Sequence, residues 1–501
     1  MAVSLADLSP SALYRQLLRQ SAVYTTGTVL QQATSLLLLP LYLHLLTPAD
    51  FGITALAGVA TAICVAIFSL GCHAAVTRLY WEWKKENDAE AAVATLWVTV
   101  IAFAAVLTIV LQRWGALLFG WLLSSVPFDP YIRIVLWTAF LATVNQVPLA
   151  LLRAREEAAV FVRWSYATAA SALLLSIYFV AVERQGALGV LHANLGSTLL
   201  SAAIAVYLMV RRVRFVARPQ RLRGALRFSL PLVPGSVLEA LTSGIDRLVL
   251  DKFVPLSQIG LYSIATRIAD LGVRTLMVTS FKTAWFPFAI RLNTERPDGR
   301  DRTARLGTMI VAAGAWLAVG TVLFSGALLL ALGREEYLMV IPLVAVLVFA
   351  NLVLVVDLLA WVGLMMGKHT GAISITTAVH AIVAFCAYMV LVPAFGIAGA
   401  AFSAVISMAT IVSLKVVIAG RVYPIRYEWA RIGVLVATAV AAVLGGLASD
   451  SVLGAGSWQG NIIKLALFVA FSFFLRTIAF RGQPVRDQLA AAAGDGQLDG
   501  G

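Results

Sequence analysis

The stretch Phe228–Lys282 reads FSLPLVPGSVLEALTSGIDRLVLDKFVPLSQIGLYSIATRIADLGVRTLMVTSFK. It holds two apolar runs, each about long enough to cross the hydrocarbon core of a bilayer. Both carry charge: Glu239, Asp246, Arg247, Asp251 and Lys252 in the first, Arg267, Asp270, Arg274 and Lys282 in the second. Ionisable groups at membrane depth are costly and persist where they face water or a partner. Glu239 and Asp246 are seven apart and share one helical face, with Thr242 and Ser243 between them. Arg267, Asp270 and Arg274 fall at i, i+3 and i+7, again one face. Two neighbouring helices that each turn a charged stripe inward predict a polar cavity inside a membrane bundle. The plainer reading is ion pairing that fastens helices together, and it suits Asp246, Arg247, Asp251 and Lys252 at the end of the first run. For Arg267, Asp270 and Arg274, a substrate path and an internal salt-bridge ladder both remain open.

The whole chain agrees with the membrane reading. Of 501 residues, 60% are hydrophobic and 13% charged, and the mean hydropathy is +0.89, the composition of a chain built mostly of membrane spans. Hydropathy predicts an all-α integral membrane protein with fourteen spans, near 22–46, 52–77, 91–111, 131–152, 159–182, 187–210, 227–250, 257–282, 305–331, 337–362, 371–392, 395–418, 429–447 and 460–480. Trp114 to Phe128, interrupted by Arg113, Pro127 and Asp129, reads as an interfacial or loop segment. Met1 to Gln20 is polar and the first apolar run lacks a small-residue cleavage site, so no cleavable signal peptide is expected. Cys64, Cys72 and Cys386 lie in apolar segments without metal-ligand spacing and read as small packing residues.

The net charge of +13 would suggest a nucleic-acid partner in a soluble protein, but here its placement encodes orientation. With the N-terminus inside, the cytoplasmic connections hold 27 of the 38 lysines and arginines; the external ones hold only Arg113, Arg184, Lys252 and Arg334. The positive-inside rule therefore predicts an even number of spans and two cytoplasmic termini. The basic loops are expected to set orientation and meet anionic lipid, with no nucleic-acid partner. All connections are short, which leaves no extramembrane domain. The tail after Gly482, small and polar, is expected to be disordered.

A repeat is visible. LTPADFGITALA contains Gly52 and FVPLSQIGLYSIA contains Gly260, an offset of 208; Gly186-Ala-Leu-Gly189 and Gly396-Ile-Ala-Gly399 repeat at an offset of 210. The chain reads as a cytoplasmic segment 1–21, a six-span lobe 22–210, a basic linker 211–226, a second lobe 227–418, two further spans in 419–482 and a tail 483–501. Six spans per lobe give the lobes the same orientation, and repeats of this kind place the binding site between them.

LLLLPLYLHLLTPADFGITAL (Leu36 to Leu56) resembles the N-terminal signature of polysaccharide transporters, the oligosaccharide flippases of the multidrug/oligosaccharidyl-lipid/polysaccharide exporter superfamily. SGIDRLVLDKFVPLSQIGLYSIATRIADL (Ser243 to Leu271) is similar to the second-lobe counterpart, and LALLRAREE (Leu149 to Glu157) and FGIAGAAFSAV (Phe395 to Val405) fit as well. The resemblance spans nearly the whole chain in order. It implies a MATE-like fold and movement of an undecaprenyl-diphosphate-linked glycan across a bacterial inner membrane by alternating access, through a cationic cavity. It further implies a polysaccharide polymerase and chain-length machinery as partners besides membrane lipids, and no cofactor beyond coupling to a proton or sodium gradient. Related peptidoglycan-precursor flippases carry charges in the first span. Ala22 to Leu46 has none, only Tyr24, Thr25, Gln31, Gln32 and His44.

For an anionic head group, Arg267 and Arg274 are the candidate cavity cations, with Asp270 on their face. Arg78 and Lys282 are gatherers at the cytoplasmic mouth or snorkelling interfacial residues. Asn145 and Gln146 could bond sugar hydroxyls or fasten helices. Asp357, deep in span ten with Asn351 six residues before it, reads as a proton or sodium site, as the partner of a basic residue on a neighbouring helix, or as a group placed near the external water; Glu239 is the second candidate for the ion site. His192, Asn194 and His380 read as packing residues. Aromatic residues at span ends, such as Trp81, Trp121 and Trp285, suit interfacial belts, and Pro231 and Pro234 predict a kink opening span seven. Two other functions stay open: a cation-coupled drug or metabolite exporter, for which twelve spans and an acid-rich cavity are expected, and a membrane polymerase or ligase, for which a large external loop is expected. No nucleophile triad, metal cluster or phosphate-cradling glycine loop is present.

Overall fold

The computed structural model describes Thr34 and residues 37–332, 334–367, 370–454 and 456–479. The N-terminal segment, most of the first predicted span with Tyr24, Thr25, Gln31 and Gln32, Lys368 and the C-terminal tail lie outside these. Among the described residues every regular element is helical.

Helix α1 covers 37–45. Thr47 then opens α2, Pro48–Phe68, with a reciprocal cap: its hydroxyl accepts from the Asp50 N–H at 3.2 Å, and Asp50 Oδ2 accepts from the Thr47 N–H at 2.9 Å. This satisfies donors that a helix start leaves orphaned, and Pro48 suits a first position that needs no N–H. The predicted span 52–77 is cut short. Leu70 and Gly71 take left-handed backbone, and α3, Cys72–Lys85, starts afresh. Helix α4, Ala89–Leu122, runs through the segment that the sequence reading left as interfacial. No proline occurs in that segment before Pro127, and Arg113 lies over the Trp114 ring at 5.9 Å, so the helix runs on through Gly115 and Gly120.

A π-helical turn, Phe128–Ile132, leads into α5, Arg133–Ala154. Pro148 sits inside α5, where it cannot bond the carbonyl of Val144. Trp97 on α4 donates its indole N–H to that carbonyl at 2.9 Å. Helices α6, Ala158–Ser176, and α7, Ala187–Arg212, follow, then α8, Pro219–Ser229, and α9, Val233–Phe253, with Pro231 in the short 3-10 turn between α8 and α9 and Pro234 in the first turn of α9. Helix α10, Leu256–Ala269, continues as a π-helical segment, Asp270–Phe281, into α11, Lys282–Glu295. The rest are α12, Gly299–Ala331; α13, Ile341–Met366; α14, Thr370–Val422; α15, Trp429–Leu453; and α16, Trp458–Ala479.

Eleven of the described helices are long and apolar enough to cross a membrane. The sequence reading of fourteen spans differs at three places. Span 22–46 lies mostly outside the described residues, span 257–282 is divided between α10 and its π-helical continuation, and spans 371–392 and 395–418 are joined in α14 across a bend at Gly396.

The two G-x-x-G pairs share one backbone solution. Gly186 has φ 59° and ψ −133°, and Gly396 has φ 57° and ψ −132°, a region open in practice to glycine alone. The second glycine of each pair lies against a carbonyl of the preceding helix: a Cβ would stand 2.7 Å from Phe179 O at Gly189 and 2.0 Å from Leu391 O at Gly399. Asp50 Oδ1 accepts the Ala187 N–H at 3.0 Å, and Gln258, the residue 208 positions after Asp50, lies beside Gly396.

Contacts divide the chain into two compact units, Met1–Ser263 with Tyr388–Ala400, and Ile264–Ala387 with Ala401–Gly501. In the first, α5 packs against α2, α3, α4 and α7. Trp164 is buried there and donates to Ser201 Oγ at 2.8 Å. In the second, α12 packs against α13, α15 and α16. Trp285 and Tyr427 donate to the carbonyls of Leu358 and Leu359 at 3.3 and 3.0 Å.

Candidate functional site

The charged stripe of the opening stretch falls where the helix changes register. At Asp270 the backbone leaves the α pattern for a π-helical run of 12 residues, far longer than the single π turns that commonly mark functional sites. Two threonines support the wider register: Thr275 Oγ1 donates to the Asp270 carbonyl at 2.7 Å and Thr279 Oγ1 to the Arg274 carbonyl at 3.0 Å, each five residues back. Asn351, buried on α13, donates from Nδ2 to Asp270 Oδ1 at 2.8 Å and to the Ala269 carbonyl at 3.2 Å. Asp270 Oδ2 lies 3.7 Å from Nη1 of Arg274, whose side chain is half exposed. Arg267, on the last turn of α10, is partly buried, and Lys282 is exposed at the start of α11. The result is a half-exposed arginine beside a carboxylate that is itself held by a buried amide. Such a group can receive an oxyanion through charge-assisted hydrogen bonds.

The remaining candidates are placed as follows. Asn145, buried on α5, has an Oδ1 with no hydrogen-bond partner among the described residues, and Gln146 beside it is partly buried. Arg78 is exposed and paired with Glu82 one turn on. Glu239 is exposed on α9. These four belong to the first unit, while Arg267, Asp270, Arg274, Lys282 and Asp357 belong to the second. Asp357 meets Lys415, whose ammonium lies 2.9 Å from Oδ1 and 3.1 Å from Oδ2, with both side chains largely buried. Of the three sequence readings for Asp357, pairing with a base on another helix is the one that matches this contact.

Two buried lysines escaped the sequence reading. Besides Lys415, Lys464 on α16 pairs with Asp450 on α15 at 2.6 Å. Each was visible as a solitary cation in an apolar span opposite a solitary acid, but a linear sequence does not say which spans touch. The basic connection after α7 is also more engaged than expected. Arg212 pairs with Glu157, Arg214 with Glu90 at 3.9 Å, Arg218 with Asp88 at 2.6 Å, and Arg221 with Asp88 at 3.0 Å and with Glu86. Hydrogen bonds from Arg218 and Arg221 hold the Asp88 carboxyl below its usual pKa.

Residues 44–342 match the family model described as polysaccharide biosynthesis protein. The chain belongs to the polysaccharide biosynthesis protein family. No curated protein matches it, but solved structures do. The lipid II flippase MurJ in an inward closed conformation aligns with 93% of this family member and 100% of its own chain, at TM-score 0.69 and 12% identity. A multidrug resistance MATE transporter in an inward-facing conformation aligns with 86% of this chain and 97% of its own, at TM-score 0.57 and 17% identity. A superfamily transporter from Pyrococcus furiosus, whose binding pocket is described as reversed in polarity, aligns with 84% and 96% at TM-score 0.55 and 19% identity. At these identities the likeness is one of fold, so this polysaccharide biosynthesis protein carries the MATE-like transporter fold expected of it.

Proposed function

We propose that the protein flips an undecaprenyl-diphosphate-linked oligosaccharide, a repeat unit of a surface polysaccharide, from the inner to the outer leaflet of a bacterial inner membrane by alternating access. The observation that carries this reading is Arg274: half exposed within a predicted membrane span and aimed through Asp270 by Asn351. An arginine kept at membrane depth needs an anionic visitor or water, and a diphosphate supplies the oxyanion. The polyprenyl part has a matching chemistry in the second unit. There a cavity of about 460 Å³ is walled by aliphatic and aromatic side chains, among them Val319, Val322, Phe349, Phe402 and Val440. The family match to polysaccharide biosynthesis supports the glycan.

In this reading the lobes are 22–210 and 227–418, both termini face the cytoplasm, and a polymerase with its chain-length machinery receives the flipped unit. A proton or sodium gradient supplies coupling, with Asp357 and Glu239 as the acids to examine. The test is glycan output at matched protein level. Losing one charged hydrogen-bond donor costs about 1.5–3 kcal/mol, roughly 10- to 100-fold in affinity. R274A and R267A should therefore deplete surface glycan and accumulate the lipid-linked unit on the cytoplasmic side. Unchanged glycan in both variants removes these residues from the site. Restored drug efflux in an exporter-deficient strain, with glycan unaffected, would transfer the protein to the cation-coupled exporters.

A further inference from the structure

Gly52 on α2 and Gly260 on α10 occur at equivalent places in the repeat, and the structure presses their helices together there. A Cβ on Gly52 would lie 2.3 Å from the carbonyl oxygen of Leu256, and one on Gly260 would lie 1.6 Å from that of Pro48. Pro48 and Leu256 are themselves 208 apart, the offset of the glycines, so the contact is reciprocal. Such self-complementary contacts are what two-fold symmetry generates. A second contact joins the same repeats nearby. The buried carboxylate of Asp251, at the end of α9, accepts from Ser124 N–H at 2.6 Å, Ser124 Oγ at 2.9 Å and Ser125 N–H at 3.1 Å, just beyond α4. Lys252 donates to the Trp121 carbonyl at 2.5 Å, a cation at the C-terminal end of α4.

We propose that these contacts are a latched closure of the external ends of α2, α4, α9 and α10, with the Gly52–Gly260 crossing as its seat and Asp251 as its latch. The proposal rests on the flippase reading and on the orientation assigned by the positive-inside charge pattern. Opening toward the outside requires both contacts to part, because each ties a helix of residues 22–210 to one of residues 227–418. The glycines permit an approach that any side chain would prop open. The carboxylate adds bonds that are strong when made, yet confined to a single residue.

Labelling of the full-length protein in intact cells reads the closure, in a background with Cys64, Cys72 and Cys386 replaced by alanine. Ser263, buried three residues beyond Gly260 on α10, is changed to cysteine and exposed to a membrane-impermeant maleimide from outside. Losing a latch worth one or two charge-assisted bonds predicts labelling about tenfold higher in D251N than with Asp251 intact, and G260A should act in the same direction. D251N keeps the side-chain shape, so it remains informative should G260A fail to fold. Unchanged labelling in D251N, with monodisperse protein by size-exclusion chromatography, overturns the proposal. So does labelling that rises only in inverted vesicles, which would put the contacts on the cytoplasmic side. In the same background, S124C/D251C should form a disulfide under oxidation and stop glycan output until reduced. Glycan that survives the cross-link while S263C labelling responds to D251N would strike the transport reading and leave the closure standing.

Discussion

Lys415 on the second half of α14 places its ammonium 2.9 Å from one oxygen of Asp357 on α13 and 3.1 Å from the other. Removing one member of a buried pair strands the other charge at a cost of about 3–5 kcal/mol, whereas replacing both with apolar residues is often neutral. K415A should therefore lower the thermal midpoint of the purified protein clearly, and K415M/D357L should recover most of the loss. Recovery would mark the pair as structural. The native ammonium also occupies the position that a bound sodium ion would need. With the pair intact, Asp357 predicts no sodium requirement, so exchanging sodium for potassium should leave wild-type glycan output unchanged; a large fall on exchange would return sodium coupling to Asp357 or Glu239.

Asn351 acts on the candidate site through Asp270. Asn351→Leu removes the amide that donates to Asp270 Oδ1, a hydrogen bond to a charged group worth about 1.5–3 kcal/mol. Arg274 loses its fixed direction while keeping its charge. Glycan output in N351L should fall about tenfold, and N351D should fail to rescue because two carboxylates would then face each other. Matched protein levels and an unaltered thermal midpoint for the detergent-solubilised variant separate this effect from misfolding. Normal output in N351L would remove the amide from the arrangement.

Much of this arrangement was legible in the sequence because it rests on local spacing. Arg267, Asp270 and Arg274 announced a charged stripe, and the paired glycines announced a repeat whose backbone angles agree to within two degrees at Gly186 and Gly396. What was not legible depends on partners brought together by packing. The α-helical face inferred from i, i+3 and i+7 is altered by the π-helical register after Asp270, and no single residue type signals that change. Lys415 and Asp357 were each visible as solitary charges, but 58 positions of sequence separate them. Likewise Asp251 looked like one member of an interfacial cluster. Its role emerges only with Ser124 and Ser125 against it.

The carbonyl of Val144 tests how a proline is tolerated inside a membrane helix. Pro148 leaves it without its helical donor, and Trp97 supplies the replacement at 2.9 Å. W97F should lose about 1–3 kcal/mol, the cost of a buried acceptor left unmade. P148A in that background restores the N–H four residues on and should return most of the lost stability. The double variant melting no higher than W97F would show that the indole's value lies in its packing between α4 and α5 rather than in the bond.

Asp88 gives the protein an acid-sensitive fastening outside the membrane. Arg218 and Arg221 favour its charged form, so its pKa in the fold lies below the ordinary carboxylate value. A group of this kind adds stability that is fully present above its unfolded pKa and is lost as the pH falls through the folded pKa. Acidification through and below the ordinary carboxylate range should therefore release the 211–227 connection from the loop bearing Glu86 and Asp88. Hydrogen–deuterium exchange of the purified protein across that range, corrected for the intrinsic pH dependence of exchange, would detect the release as faster exchange in residues 211–227. Limited trypsin digestion at neutral pH should show new cleavage of D88N at Arg221, where Leu222 follows. Identical digestion of D88N and the parent at neutral pH would mean that Glu86 and Glu90 hold the linker without it.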